Sequence, residues 1–177
     1  MRGERFPWAP VLLIAGGVLL LDQATKAWVL QALPGRPPLT VVPGFFDVVL
    51  SRNTGGVFGL LSGPPGALRR ALFTAATAAA LVALAVFLRH WARESRLALV
   101  ALSLVAGGAV GNLVDRLRFG SVVDFIDWYW GSYHWYTFNV ADAAITAGAA
   151  LLLIHSFLPE RSRAPAADAP APAPREE

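Results

Sequence analysis

The sequence predicts an α-helical polytopic membrane protein with four transmembrane helices, a small extracytoplasmic β-sheet and an interfacial aromatic loop. Three observations carry this. Only 15% of the 177 residues are charged, 55% are hydrophobic and the mean hydropathy is +0.51, a balance that suits lipid better than water as the solvent. Four uncharged apolar runs recur, at Val11 to Leu21, Ala71 to Leu88, Leu97 to Val114 and Ala143 to Leu158. The tryptophans avoid the middle of every run, as expected of side chains that favour the boundary between lipid and water.

Taken in order, the first run reaches membrane-spanning length only if it continues through Asp22 and Lys26 to Leu30, giving a span over about 8–30. No small-residue cleavage site follows the apolar stretch and LDQATK continues it, so it reads as a retained helix and not as a removed leader. Residues 36–62 hold TVV and FFDVVLS, β-favouring segments separated by Pro43 and Gly44 and followed by the turn-like RNTGG, which predicts a small sheet outside the membrane. The second and third runs give spans over about 68–88 and 97–115, joined by the short basic loop RHWARESR. In the third, Gly107 and Gly111 share one helical face, a spacing that allows close helix approach in lipid.

Between the third and fourth runs, WYWGSYHWY gathers three tryptophans and all three tyrosines into a loop suited to the interface. The fourth span, about 139–158, begins near Asn139. Residues 1–158 thus read as one membrane-embedded domain, and 159–177 as a disordered Pro/Ala-rich tail unable to build a core. Arginine placement favours cytoplasmic termini by eight against six, which puts the polar ends of runs one, three and four on the outer side.

Several functions are excluded or disfavoured. The net charge of +3 is small and its basic residues are scattered, so no nucleic-acid groove is indicated. The absence of cysteine removes thiolate metal sites and a Cys nucleophile. His90, His134 and His155 fall on different sides, against a shared metal site, and Lys26, the single lysine, lies far from Ser103, against a Ser/Lys dyad.

What remains is a set of polar residues at span ends, where burial of charge is costly. Asn112, Asp115 and Arg116 share one face at i, i+3 and i+4, and Asp115 and Arg116 could neutralise each other or bond to neighbouring loops. Asn139 and Asp142 have the spacing of a helix N-cap and an N3 acid. Asp124, between Val123 and Phe125, would be a cap or turn residue if alone, yet a hairpin through residues 116–138 returns the chain to the same depth, so that Asp124 and Asp142 can face each other. Two close carboxyls that share one proton form an acid–base pair able to activate water. Three readings stay open on the residues alone: an aspartyl peptidase, a transporter whose Asp124, Asp142 and Arg116 relay ions, and a structural subunit held by caps and ion pairs.

Five ordered blocks resemble the lipoprotein signal peptidase (signal peptidase II) family: LDQATK at 21–26, RNTGGVFGLL at 52–61, GNLVDR at 111–116, VVDFI at 122–126 and FNVADAAI at 138–145. The resemblance implies a bacterial inner-membrane aspartyl endopeptidase with cytoplasmic termini, active toward the outer face and needing no metal or cofactor. It would remove signal peptides from prolipoproteins, cutting just before a diacylglyceryl-modified cysteine. By motif, Asp124 and Asp142 correspond to the catalytic pair, while Asn53, Asn112, Arg116 and Asn139 match residues lining the site. Asp22 and Lys26 match the first-helix motif, and Asp115 falls in GNLVDR. The implied partners are lipidated prolipoproteins and membrane lipids, with a monomer sufficient. Gly56 and Val57 depart from the small pair usual in the family, which bears on fine specificity.

Overall fold

The computed structural model describes residues 6–54, 66–91 and 95–157. The tail, Gly56 and Val57 lie outside them. Four helices, α1 (Trp8–Ala32), α2 (Ala67–Trp91), α3 (Arg96–Phe119) and α4 (Val140–Phe157), are each long and apolar enough to cross a membrane. Their lipid-facing surfaces expose Leu13, Leu20, Val82 and Leu153, whereas α3 packs against all three others and is the most buried.

Missing side chains make this packing close. A β-carbon on Gly107 would meet the Ala15 carbonyl oxygen at 2.6 Å, and one on Gly111 would meet Asp22 Oδ2 at 2.6 Å, so the predicted glycine face is where α3 receives α1. Gly108 abuts the Ala141 carbonyl, and Gly148 of α4 approaches the Ala101 carbonyl oxygen in the same way. Ser95 caps α3 by accepting from the Ala98 amide, and Gly120 closes its other end at φ 69°.

Two apolar clusters mark the ends of the bundle. Val11, Leu88, Leu99 and Leu102 join the start of α1, the end of α2 and the start of α3. At the opposite end Val29 and Leu33 pack on the sheet residues Val48 and Phe125, with Val140 at the start of α4. The chain's first and last described residues therefore share one end of the bundle, and the sheet closes the other.

The sheet is larger than the sequence indicated. The expected strands are present as β1 (Leu39–Val42) and β2 (Phe46–Asn53), but the aromatic segment forms β3 (Val122–Trp130) and β4 (Tyr133–His134), completing an antiparallel order β1-β2-β3-β4. The aromatic stretch is thus a strand hairpin in place of a loop. Its β-branched and aromatic residues fit a pleated, half-buried surface: Val122 to Phe125 are buried, while Trp128 and Trp130 are exposed. Asn53 likewise closes β2 and does not sit in a turn.

Candidate active site

Three local devices bring the predicted residues together. The β2–β3 register pairs Ser51 with Asp124 and Asn53 with Val122, after an irregularity between Val48 and Ser51 of the kind that re-aims side chains. Next, the amides of Phe125 and Ile126 both donate to the Phe138 carbonyl, at 2.9 and 2.8 Å, and this holds the approach to α4 against β3. Asn139 then caps α4: its Oδ1 accepts from the Asp142 amide at 2.9 Å, as its spacing predicted.

The two carboxyls are joined through two asparagine amides. Asn139 Nδ2 donates to Asp124 Oδ1 at 2.6 Å and lies 3.3 Å from both Asn112 Oδ1 and the Val123 carbonyl. Asn112 Nδ2 donates to Asp142 Oδ1 at 2.8 Å. Asn53 adds a side-chain hydrogen bond to Asp124. Burial, and then the nearby charge of Asp142, push the Asp124 carboxyl up to about 7, against the opposing pull of Asn139, Asn53 and Lys26. An acid in that position keeps its proton close to neutral pH.

Beneath the pair lies a closed ionic layer. Lys26 Nζ contacts Asp22 Oδ2 and Asp115 Oδ2, each at 2.9 Å, and donates to Asn112 Oδ1 at 3.1 Å, so each of its three N–H bonds has a partner. The three ionic groups are at most 2% exposed. Their remaining lone pairs are satisfied by the backbone: Ala141 N donates to Asp22 Oδ1 and Val123 N to Asp115 Oδ2, both at 2.9 Å. Asp22 thereby takes a free amide at the start of α4, and Asp115 takes one on β3 next to Asp124. Each acidic residue of the ionic layer holds the backbone neighbour of one member of the pair.

This arrangement corrects one expectation. Asp115 and Arg116 do not neutralise each other, because adjacent helical residues point in different directions: Asp115 turns inward to Lys26, and Arg116 Nη1 donates to Thr77 Oγ1 of α2 at 3.2 Å. Arg116 still adds positive charge near Asp142 and Asp124. Two participants were missed. Gln23 Nε2 lies within hydrogen-bond reach of Asp22 Oδ2, the Gly111 carbonyl and Asp115 Oδ1, at 3.1 to 3.2 Å. Its position beside Asp22 in LDQATK was the available signal. Thr77, a hydroxyl inside an alanine-rich span, was the other. No buried side-chain nitrogen or oxygen among the described residues lacks a partner.

Four membrane-crossing helices, closed at one end by a sheet and carrying a coupled carboxyl pair in a saturated polar network, define a polytopic membrane protein of the enzyme class. Comparison with known proteins makes this specific. A family model described as Signal peptidase (SPase) II matches residues 14–158. The lipoprotein signal peptidase of Syntrophotalea carbinolica is 47% identical over 144 residues, which cover 81% of this chain and 88% of that one. That of Geobacter metallireducens is 46% identical over 143 residues, covering 81% and 87%. A solved structure described as a bacterial membrane enzyme, at 2.3 Å resolution, superposes with a TM-score of 0.76 at 34% identity, over 86% of this chain and 90% of its own. The chain belongs to the signal peptidase II family and is a protease of lipoprotein processing.

Proposed function

We propose that Asp124 and Asp142 are the catalytic pair of an aspartyl endopeptidase that removes the signal peptide from diacylglyceryl-modified prolipoproteins, cutting just before the lipidated cysteine. The observation that carries this is the coupling of a buried carboxyl, Asp124, with a half-buried one, Asp142, on separate elements, with Asp124 raised to about 7. One proton is then shared. Asp124 holds it, and Asp142, at the N3 position of α4 with Asn112 donating to it, bears the charge where the helix end favours an anion.

Hydrolysis follows from this state. Asp142 accepts a proton from water as the water oxygen attacks the scissile carbonyl carbon, and Asp124 gives its proton to the carbonyl oxygen. The tetrahedral diol then collapses: Asp142 passes its proton to the departing amine while Asp124 recovers one from a diol hydroxyl. Both aspartates return to their starting states without a metal or organic cofactor. Asn139, Asn112 and Asn53 orient the carboxyls, while the ionic layer of Asp22, Lys26 and Asp115 fixes the backbone that carries them.

The position of the pair at the sheet end of the bundle supports a substrate held by its acyl chains, whose scissile bond lies near the membrane surface. We place this end on the outer face of the bacterial inner membrane, with cytoplasmic termini, and infer that a monomer suffices because one chain supplies every site residue. An ion relay has less support, since the described spans carry no Asp, Glu, Lys or Arg between their site end and the far ends marked by Arg89 and Arg96. The test is cleavage of lipidated prolipoprotein by wild type, Asp124→Asn and Asp142→Asn, with unlipidated precursor as control. Cutting by either variant at the wild-type rate would sink the proposal.

A further inference from the structure

A second gathering of charge lies outside the carboxyl site. The ring of Phe119, the last residue of α3, has the Arg52 guanidinium carbon 4.8 Å from its centroid and that of Arg118 5.0 Å away. Arg70 of α2 lies over the adjoining Gly120, where a β-carbon would stand 2.6 Å from its Nε. Three elements, β2, α2 and α3, thus send exposed guanidiniums to one corner of the bundle. Among the described residues no carboxylate pairs with any of them.

Structural roles explain part of this. Stacking on Phe119 stabilises the Arg52 and Arg118 cations, and Arg70 complements the carbonyl end of α3. Neither explains three like charges in one place, and on the end of the bundle where basic residues run against the usual charge bias. The cluster sits where two membrane spans end, and Leu68, Leu72 and Leu117 are exposed on those same helix ends. An anion that meets guanidinium forks at head-group depth, above apolar helix surface, is itself an amphiphile.

We propose that Arg52, Arg70 and Arg118, gathered about Phe119 and Gly120, form a binding site for the phosphate of an anionic glycerophospholipid. The headgroup bridges β2 to the ends of α2 and α3. Because Arg52 precedes Asn53, which bonds Asp124, a bound lipid also steadies the strand bordering the carboxyl site. Fixed guanidinium planes suit phosphate oxygens, and the positive cluster repels a choline group, so phosphatidylglycerol is preferred over phosphatidylcholine.

The test uses the full chain in nanodiscs of mixed phosphatidylglycerol and phosphatidylcholine, with retained lipid counted by native mass spectrometry. Wild type should keep phosphatidylglycerol selectively, less so as salt rises. The R52Q/R70Q/R118Q variant should lose selectivity by on the order of tenfold to a hundredfold, and R52K/R70K/R118K should keep part of it. Retention by a folded glutamine variant equal to wild type would overturn the site, as would a wild type that does not discriminate. Should the glutamine variant fail to fold, the lysine variant and the salt titration of wild type decide: selectivity insensitive to salt refutes the proposal. Displacement of the lipid by millimolar inorganic phosphate would assign the site to a free anion and refute the lipid.

Discussion

Replacing Asp124 by asparagine should abolish turnover and at the same time stabilise the protein at alkaline pH. The carboxyl moves from an ordinary 3.8 to about 7 on folding. Between these values the folded state holds a proton that the unfolded chain has lost, so stability falls as pH rises through that window and levels off above about 7. Three units correspond to about 4 kcal/mol, which the wild type forgoes above neutrality by ionising a buried acid. Asparagine carries the same amide-to-carbonyl contact with Asn139 and no ionisation, so the variant should lack this slope. Its unfolding midpoint should match wild type near pH 4 and exceed it by roughly 10 °C near pH 8.5. The assay is thermal unfolding of both proteins in one detergent across pH, beside cleavage of lipidated substrate. Equal pH slopes for the two proteins would refute the account of the Asp124 site, and cleavage by the variant would refute its role.

Other outcomes follow from the same geometry. The turnover of wild type should fall on the alkaline side as Asp124 loses its proton near pH 7; a rate flat from pH 5 to 9 would contradict the shared-proton scheme. Lys26→Met leaves Asp22 and Asp115 buried without their cation, and should cost about 3–5 kcal/mol in unfolding measurements; an unchanged midpoint would mean that the ionic layer is dispensable. Asn139→Ala removes the α4 cap, costing about 1 kcal/mol, and with it the 2.6 Å donor to Asp124, so kcat should drop far more than stability does. Gly108→Ala forces α3 away from the Ala141 carbonyl beside Asp142 and should lower both stability and kcat. Gly16→Ala, in open space, should be neutral or stabilising by up to about 1 kcal/mol.

The four spans were readable because lipid imposes length and hydropathy on each segment separately. The proximity of Asp124 and Asp142 was readable for a different reason: a hairpin through residues 116–138 returns both to one depth, whereas their proposed role came from the family resemblance of VVDFI and FNVAD. What could not be read was the pairing of residues distant in sequence. Of the two readings of Asp115, a bond to the neighbouring segment holds at Val123, but neutralisation by Arg116 does not: its ionic partner is Lys26 on another helix, and local spacing contains no record of that contact. The strand over 122–130 was missed because the aromatic run at 128–136 suggested an interfacial loop. Val122 to Phe125 are buried in succession, so β3 carries no period-two pattern and is defined by its pairing with β2. Gln23 was passed over because its three acceptors come from two helices.

The hydrogen bond from Ala141 to Asp22 spans 119 positions of chain and bears on the order of manufacture. Of the four helices, α1 is synthesised before α4, so Asp22 remains without the Ala141 amide until α4 arrives. A nascent chain stopped after α3 holds Lys26, Asp22 and Asp115 but lacks both Asp142 and the strut that sets its depth. With Asp142 in its proposed catalytic role, proteolytic competence should appear only when α1 and α4 meet, and a chain lacking α4 should be inert. Co-expressed fragments divided between α2 and α3 should regain cleavage together and show none apart.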